Sequence, residues 1–263
     1  MPPLRPVFYV NRLLKSSSFI KECKMLSSSS SMSPSILKDA KENLYDTKIQ
    51  FQYMDEKAQK MRTFNLASVY QDTYPGGSSI GTVVTLHGAP GTHNDFKYVT
   101  PLLVEKGIRV VGVNFPGFGL TEDHIDLNHD NAQRDAYAQA LIDGLCLGDR
   151  LVFLGHSRGS EISATLAANS KNTERTVGTL ILAPNGLRKN RQTTIFIGAI
   201  SAIASLHKRA PMLRTILDYT VWKSYAIGLG MKMKTGRIAV NVMKSMVSIS
   251  FGKQQEPLEK VMQ

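Results

Sequence analysis

The nine residues Leu151-Val152-Phe153-Leu154-Gly155-His156-Ser157-Arg158-Gly159 constrain the fold of this chain more than any other stretch. Four apolar residues of strand character run into Gly-x-Ser-x-Gly, and Glu161 to Ala168 behind it reads as a helix. The order strand, glycine-flanked serine, helix predicts a nucleophile elbow, a strained turn that presents a serine hydroxyl at the top of a sheet. The glycines suit it physically, because a side chain at Gly155 or Gly159 would strike the adjoining strand or helix.

A serine hydroxyl is a poor nucleophile until a base takes its proton. In sheets that use this elbow for catalysis, an acid and a histidine follow the serine along the chain. Of His87, His93, His124, His129, His156 and His207, only His207 lies beyond Ser157. The carboxylates between them are Glu161, on the elbow helix, and Glu174, just ahead of the next strand. Neither stands where a triad acid belongs, so the stretch speaks more strongly for a fold than for catalysis.

At 263 residues the chain is long enough for one α/β domain with an insertion. Its net charge of +11 is unevenly spread. Residues 1–41 hold seven Lys/Arg against two Asp/Glu, and residues 186–263 hold thirteen against three, which leaves an acidic middle. An acidic core between basic flanks argues against a nucleic-acid module. It favours basic segments that serve targeting or meet an anionic lipid surface. Residues 1–40, basic and serine-rich with few acids, read as a disordered or targeting segment outside the fold. Cys146 lies in an apolar helical stretch and is expected in the core. With only Cys23 besides it, no disulfide framework is expected, and the location read from this is intracellular, cytoplasmic or mitochondrial.

Lys48 to Met54 alternates as a strand, with Lys60 to Tyr70 as its hairpin partner. Gly81 to Leu86 is a β-branched run of the kind buried on both faces of a sheet. Thr92 to Asp95 resembles a capping box ahead of a helix carrying Phe96, Val99, Leu102 and Leu103. A strand at Ile108 to Val113, a helix at Asn128 to Leu147, the elbow, and a strand at Val177 to Leu182 follow. This alternation predicts a mostly parallel, doubly wound sheet after an antiparallel hairpin. Ligands in such sheets bind beyond the carboxyl ends of the strands, where His87, Asn114, Ser157 and Asn185 all stand. Beyond Leu187 helical spacing dominates, and Arg237 to Phe251, which fits both periods, is assigned to helix.

The His87-Gly88-Ala89-Pro90-Gly91 loop follows a strand, where an oxyanion loop belongs. Acyl transfer needs backbone N–H groups aimed at the developing alkoxide. One is assigned to Arg158 and the other to Ala89, since Pro90 has no N–H to give. With Asn114-Phe115-Pro116-Gly117-Phe118-Gly119, the Gly155–Gly159 turn and Leu182-Ala183-Pro184, the chain resembles the α/β-hydrolase superfamily over roughly residues 45–190. Its wording at His87 to Tyr98 and Gly155 to Ser160 is also similar to an uncharacterised, nematode-rich branch of that superfamily. The resemblance implies a serine nucleophile at Ser157 and a helical cap after the sixth strand. The hydrolase core then spans 45–190 and a helical, cap-like region 190–263. An apolar ester or acyl substrate is implied too. Epoxide hydrolase and dehalogenase chemistry are not, because those relatives carry a carboxylate where Ser157 stands.

The chain departs from that pattern at Asn114 and Asn185, which occupy acid positions, and in its last two strands. Only 79 residues follow Pro184, too few for a cap and two more strand–helix units. The expectation is a sheet without its last strands, in a shortened chain or in a member without a triad. Two readings stay open: a serine hydrolase, and a non-catalytic protein binding an apolar ligand or partner. His156 and His87 are read as supports of the elbow and loop, with Gly88, Gly155 and Gly159. His207 is a candidate base that would have to reach Ser157 from the cap. His93, His124 and His129 are expected at the surface, with no metal-ligand spacing. No cofactor is expected, and the oligomeric state is not legible. The methionine-rich basic cap suits either an irregular apolar ligand or an anionic membrane surface.

Overall fold

The computed structural model describes residues 32–184, 201–207, 209–249 and 251–262. Two long strands, β2 (Leu44–Asp55) and β3 (Lys60–Asp72), form an antiparallel hairpin in unbroken register from Leu44↔Gln71 to Asp55↔Lys60. The alternation in β2 puts Ile49, Phe51 and Tyr53 into the core and Lys48, Gln50 and Gln52 into solvent. Asp55 fixes the turn by accepting hydrogen bonds from the amides of Lys57 and Ala58, at 3.1 and 3.0 Å. A short strand β1 (Ile36–Asp39) pairs antiparallel with β2, and Met32 bridges Ile49. The chain is thus inside the sheet before residue 40, where the sequence places a segment outside the fold. Residues 1–31 of that segment lie outside the described residues.

The remaining strands are β4 (Thr82–Leu86), β5 (Arg109–Val113), β6 (Leu151–His156) and β7 (Thr176–Leu182), all mutually parallel. The sheet order is β1-β2-β3-β5-β4-β6-β7, with β3 joined antiparallel to β5. From β4 the chain passes first to β5 on one side and then to β6 on the other, so the order reverses at β4. Loops leaving β4, β5 and β6 therefore open around one crevice at the carboxyl edge. Every residue of β4 and β5 is buried, as their β-branched composition predicts. Among the described residues no strand follows β7.

One continuous apolar core joins the hairpin, β4–β6 and four helices: α2 (Asn131–Gly144), α3 (Arg158–Ala168) and the later α4 (Arg214–Leu229) and α5 (Gly236–Val247). The opposite face is thinner. There a 3₁₀ turn (His93–Phe96) and α1 (Thr100–Glu105) cover Val83 and Leu154, with Phe96 buried between them. Thr92 caps that turn in a full capping box with Asp95, but Val99 and Leu102 point to solvent and not into the core. Cys146 also departs from expectation. It follows α2 at a φ of +45° and is exposed.

Beyond residue 200 come helical residues 201–207, then α4 (Arg214–Leu229), α5 and α6 (Gln255–Met262). Arg237 to Val247 is helical because one face, Ala239, Val240, Val242 and Met243, is buried in the main core. Thr235 caps that helix, accepting from the Ile238 amide at 3.2 Å. The buried face of α5 is thus part of the same core as the hairpin and β4–β6.

Candidate functional site

Ser157 begins α3 with φ 51° and ψ −120°, a backbone region that L-residues seldom occupy and that costs roughly 1–3 kcal/mol. Two contacts hold it there. Its amide donates to the Leu182 carbonyl at 2.9 Å, tying the turn to β7. Ser160 Oγ donates to the carbonyls of Gly155 and Leu182, at 3.1 and 3.0 Å. Both flanking glycines are obligatory in this geometry. A Cβ on Gly159 would strike the Leu86 carbonyl, and one on Gly155 would lie 2.6 Å from the Ser160 Cα. The half-buried Ser157 side chain does not cap its helix, and among the described residues its Oγ makes no hydrogen bond.

The loop after β4 comes close to this serine. A Cβ on Gly88 would sit 3.1 Å from Ser157 Cβ and 3.6 Å from its Oγ, so only glycine lets the loop approach so far. His87 fixes the loop. Its Nδ1–H donates to the Gly88 carbonyl at 2.7 Å, and its Nε2 accepts the Phe115 amide at 3.0 Å. Both ring nitrogens are therefore used by neutral imidazole. Burial and the nearby Arg134 guanidinium push its pKa down to about 3. Arg134 on α2 completes the clamp, donating from Nη2 to the His87 carbonyl at 2.7 Å and stacking 3.8 Å from the Phe115 ring centre. Ala89 is buried beside the loop, and its amide makes no backbone hydrogen bond among the described residues.

Arg158 turns its side chain away from the crevice. It is fully buried, ion-paired with Glu161, and near Ser245 and Ser248 of the α5 end at 3.3 and 3.4 Å. Glu161 also accepts from Asn131 at 2.7 Å. Neither group is free to bind an acidic substrate or to serve as a triad acid, although the Arg158 amide stays at the open N-terminus of α3.

The other polar residues separate cleanly. His156 is exposed. Asn114 is buried, accepting the His93 amide at 2.9 Å and donating to the Val69 carbonyl at 3.1 Å. It braces the 3₁₀ turn as an amide, where a carboxylate could not donate. Asn185 lies outside the described residues. His93 and His129 are buried and not at the surface, while His124 is exposed. His207 is buried with Nε2 2.8 Å from Asp218 Oδ1, and no hydrogen bond joins it to Ser157. Burial lowers its pKa, and Asp218 opposes that shift. No group of three His, Cys, Asp or Glu among the described residues could hold a metal ion.

Sequence reasoning missed Arg134 and Asp218. The signal for Arg134 was its place four and seven residues before Ala138 and Leu141, on the buried face of α2. An apolar cavity of about 210 Å³ lies beside α3, lined by Ser160, Ala164, Ile181, Pro184, Pro257 and Leu258.

Solved structures with this fold include the haloalkane dehalogenase DpaA of Paraglaciecola agarilytica NO2. It has a TM-score of 0.52 at 15% identity, over 81% of this chain and 70% of that one. A structure from a study of carboxylesterases of the thaumarchaeon Nitrososphaera gargenis gives 0.51 at 17% identity, over 73% and 72%. In sequence, the chain is 32% identical over 198 residues to the uncharacterized protein F35H12.5 of Caenorhabditis elegans. That match takes in 73% of this chain and 56% of the relative, so the chain spans little more than half of the relative's length. The sheet order, the elements around Ser157 and a family model matching residues 45–263 agree: the chain belongs to the family described as alpha/beta hydrolase of unknown function (DUF1057).

Proposed function

We propose that the protein is a serine hydrolase acting on an ester or acyl substrate. The strand–turn–helix at Ser157 serves as its nucleophile elbow. The observation that carries this reading is Ser157 itself. Its φ is positive, its amide is tied to the Leu182 carbonyl of β7, and among the described residues its hydroxyl makes no hydrogen bond. Attack of Oγ on an ester carbonyl forms a tetrahedral alkoxide; its collapse breaks the bond to the ester oxygen, which leaves as the alcohol with the serine's proton, and water then cleaves the acyl-serine to the acid and free serine. Amides of Ala89 and Arg158 hold the alkoxide, the first placed by the His87 clamp and the second by the start of α3. A donor of this kind is worth about 3–4 kcal/mol in the transition state.

A second reading, ligand binding without turnover, is favoured by one fact. Among the described residues no histidine hydrogen-bonds Ser157, and His87 is locked neutral by two backbone groups. Hydrolysis of p-nitrophenyl esters separates the two. Turnover of any of these esters, lost in Ser157→Ala, supports the hydrolase. No turnover of any chain length by folded protein supports the second reading.

A further inference from the structure

Helix α4 carries two faces of opposite character. Val221 and Tyr225 are buried on one, with Asp218 joined there to His207. The other presents Ile216, Tyr219, Lys223 and Ile227 at successive steps of three and four residues, continuing back through Met212. Their exposure is extreme for apolar side chains: 93% for Met212, 64% for Ile216, 58% for Tyr219 and 83% for Ile227. A stripe of this kind on a folded protein marks a contact surface.

Charge decides what the surface meets. Exposed Arg209 lies beside the stripe, Lys223 lies within it, and exposed Lys232 and Lys234 follow the helix. Asp218, on the buried face, is the sole acid in residues 201–249. The Lys223 ammonium rests 5.5 Å and 5.3 Å from the ring centres of Tyr219 and Trp222, a cation held over amphipathic aromatics. Two copies of so basic a face would repel, whereas an anionic bilayer supplies both an apolar layer and the opposite charge. No helix among the described residues is long and apolar enough to cross a membrane, so contact would be in the plane of the surface. We propose that the α4 stripe is a docking surface for an anionic phospholipid bilayer, with Met212, Ile216 and Ile227 entering the acyl boundary and the lysines and Arg209 meeting headgroups. The inference does not depend on whether Ser157 is catalytic.

Flotation of the full chain tests it, with vesicles of phosphatidylcholine alone and with phosphatidylserine added. Wild type should float with the anionic vesicles and stay behind with the neutral ones, and added salt should release it. Ile216→Glu/Ile227→Glu, at exposed positions and with an unchanged melt, should weaken anionic binding by about tenfold or more, given the cost of placing charges in hydrocarbon. Three results overturn the proposal. The first is wild type that binds neither vesicle. The second is a variant that floats as wild type does, which would place binding on the basic N-terminal segment. The third is a dimer in light scattering that the double variant splits, making a second copy the occupant.

Discussion

Arg158 occupies the position after the serine, and its side chain is a structural anchor. With its guanidinium fully buried, removal of Glu161 leaves a cation without its partner in the interior. Glu161→Ala should therefore cost about 3–5 kcal/mol, read as a lower urea midpoint. Loss of less than about 1 kcal/mol would mean that water or another carboxylate reaches Arg158. His87 shows the same logic with neutral groups. The ring binds the loops after β4 and β5 together, and Arg134 anchors the carbonyl behind it. That both histidine nitrogens are spent on backbone makes His87 a positioning residue and not a base. Residue letters alone could not say this, and they misplaced His93 and His129 for the same reason. A histidine's burial is set by partners distant in sequence, here Asn114 for His93 and Lys244 and Asp123 around His129.

At the scale of elements, the close approach of α3 to β4 is what makes the turn. Gly159 lies against the Leu86 carbonyl with no room for a methyl group. Gly159→Ala must push the helix off the strand, so it should lower stability by more than the roughly 1 kcal/mol by which alanine usually favours a helix. A melt at or above the wild-type temperature would show that α3 can shift without cost. The elements legible in the sequence were those with a clean period or a backbone demand. The alternation of β2 and β3, the buried runs of β4 and β5, and the glycines at 155 and 159 each leave a local trace. What was not legible depends on tertiary contact. Val99 and Leu102 look like core residues of a helix, yet the 3₁₀ turn rotates them outward. The fate of α5 was hidden similarly: its pattern fits two periods, and only its place in the main core, with Asn241 and Lys244 donating to the Gly117 and Ile125 carbonyls, shows why it is helical.

For the whole molecule, two buried neutral histidines couple stability to pH. His87 and His129 are both pushed down to about 3 from 6.5, chiefly by burial, with Arg134 adding to the first and Lys244 to the second. Between pH 6.5 and 3 the unfolded chain holds protons on both that the native state refuses. Their contribution is therefore complete above pH 6.5 and lost as pH falls towards 3. Each proton contributes a slope of about 1.4 kcal/mol per pH unit, so the two together approach about 2.7 kcal/mol per unit near pH 5. Burial raises the Asp135 carboxyl well above its usual range, so the native state takes up a proton there and offsets part of that slope. Wild type should therefore lose more of its urea midpoint between pH 7 and 4 than His129→Gln does. Equal losses in the two would show that water reaches the His129 ring.

The central claim is that Ser157, strained at the carboxyl edge of the sheet and, among the described residues, without a hydrogen bond on its hydroxyl, is a nucleophile. Labelling of the full chain with a fluorophosphonate probe, with the adduct located by mass spectrometry, tests it most directly. The account predicts a single adduct on Ser157 that vanishes in Ser157→Ala. Folded wild type that takes up no probe, or takes it up elsewhere, would contradict it.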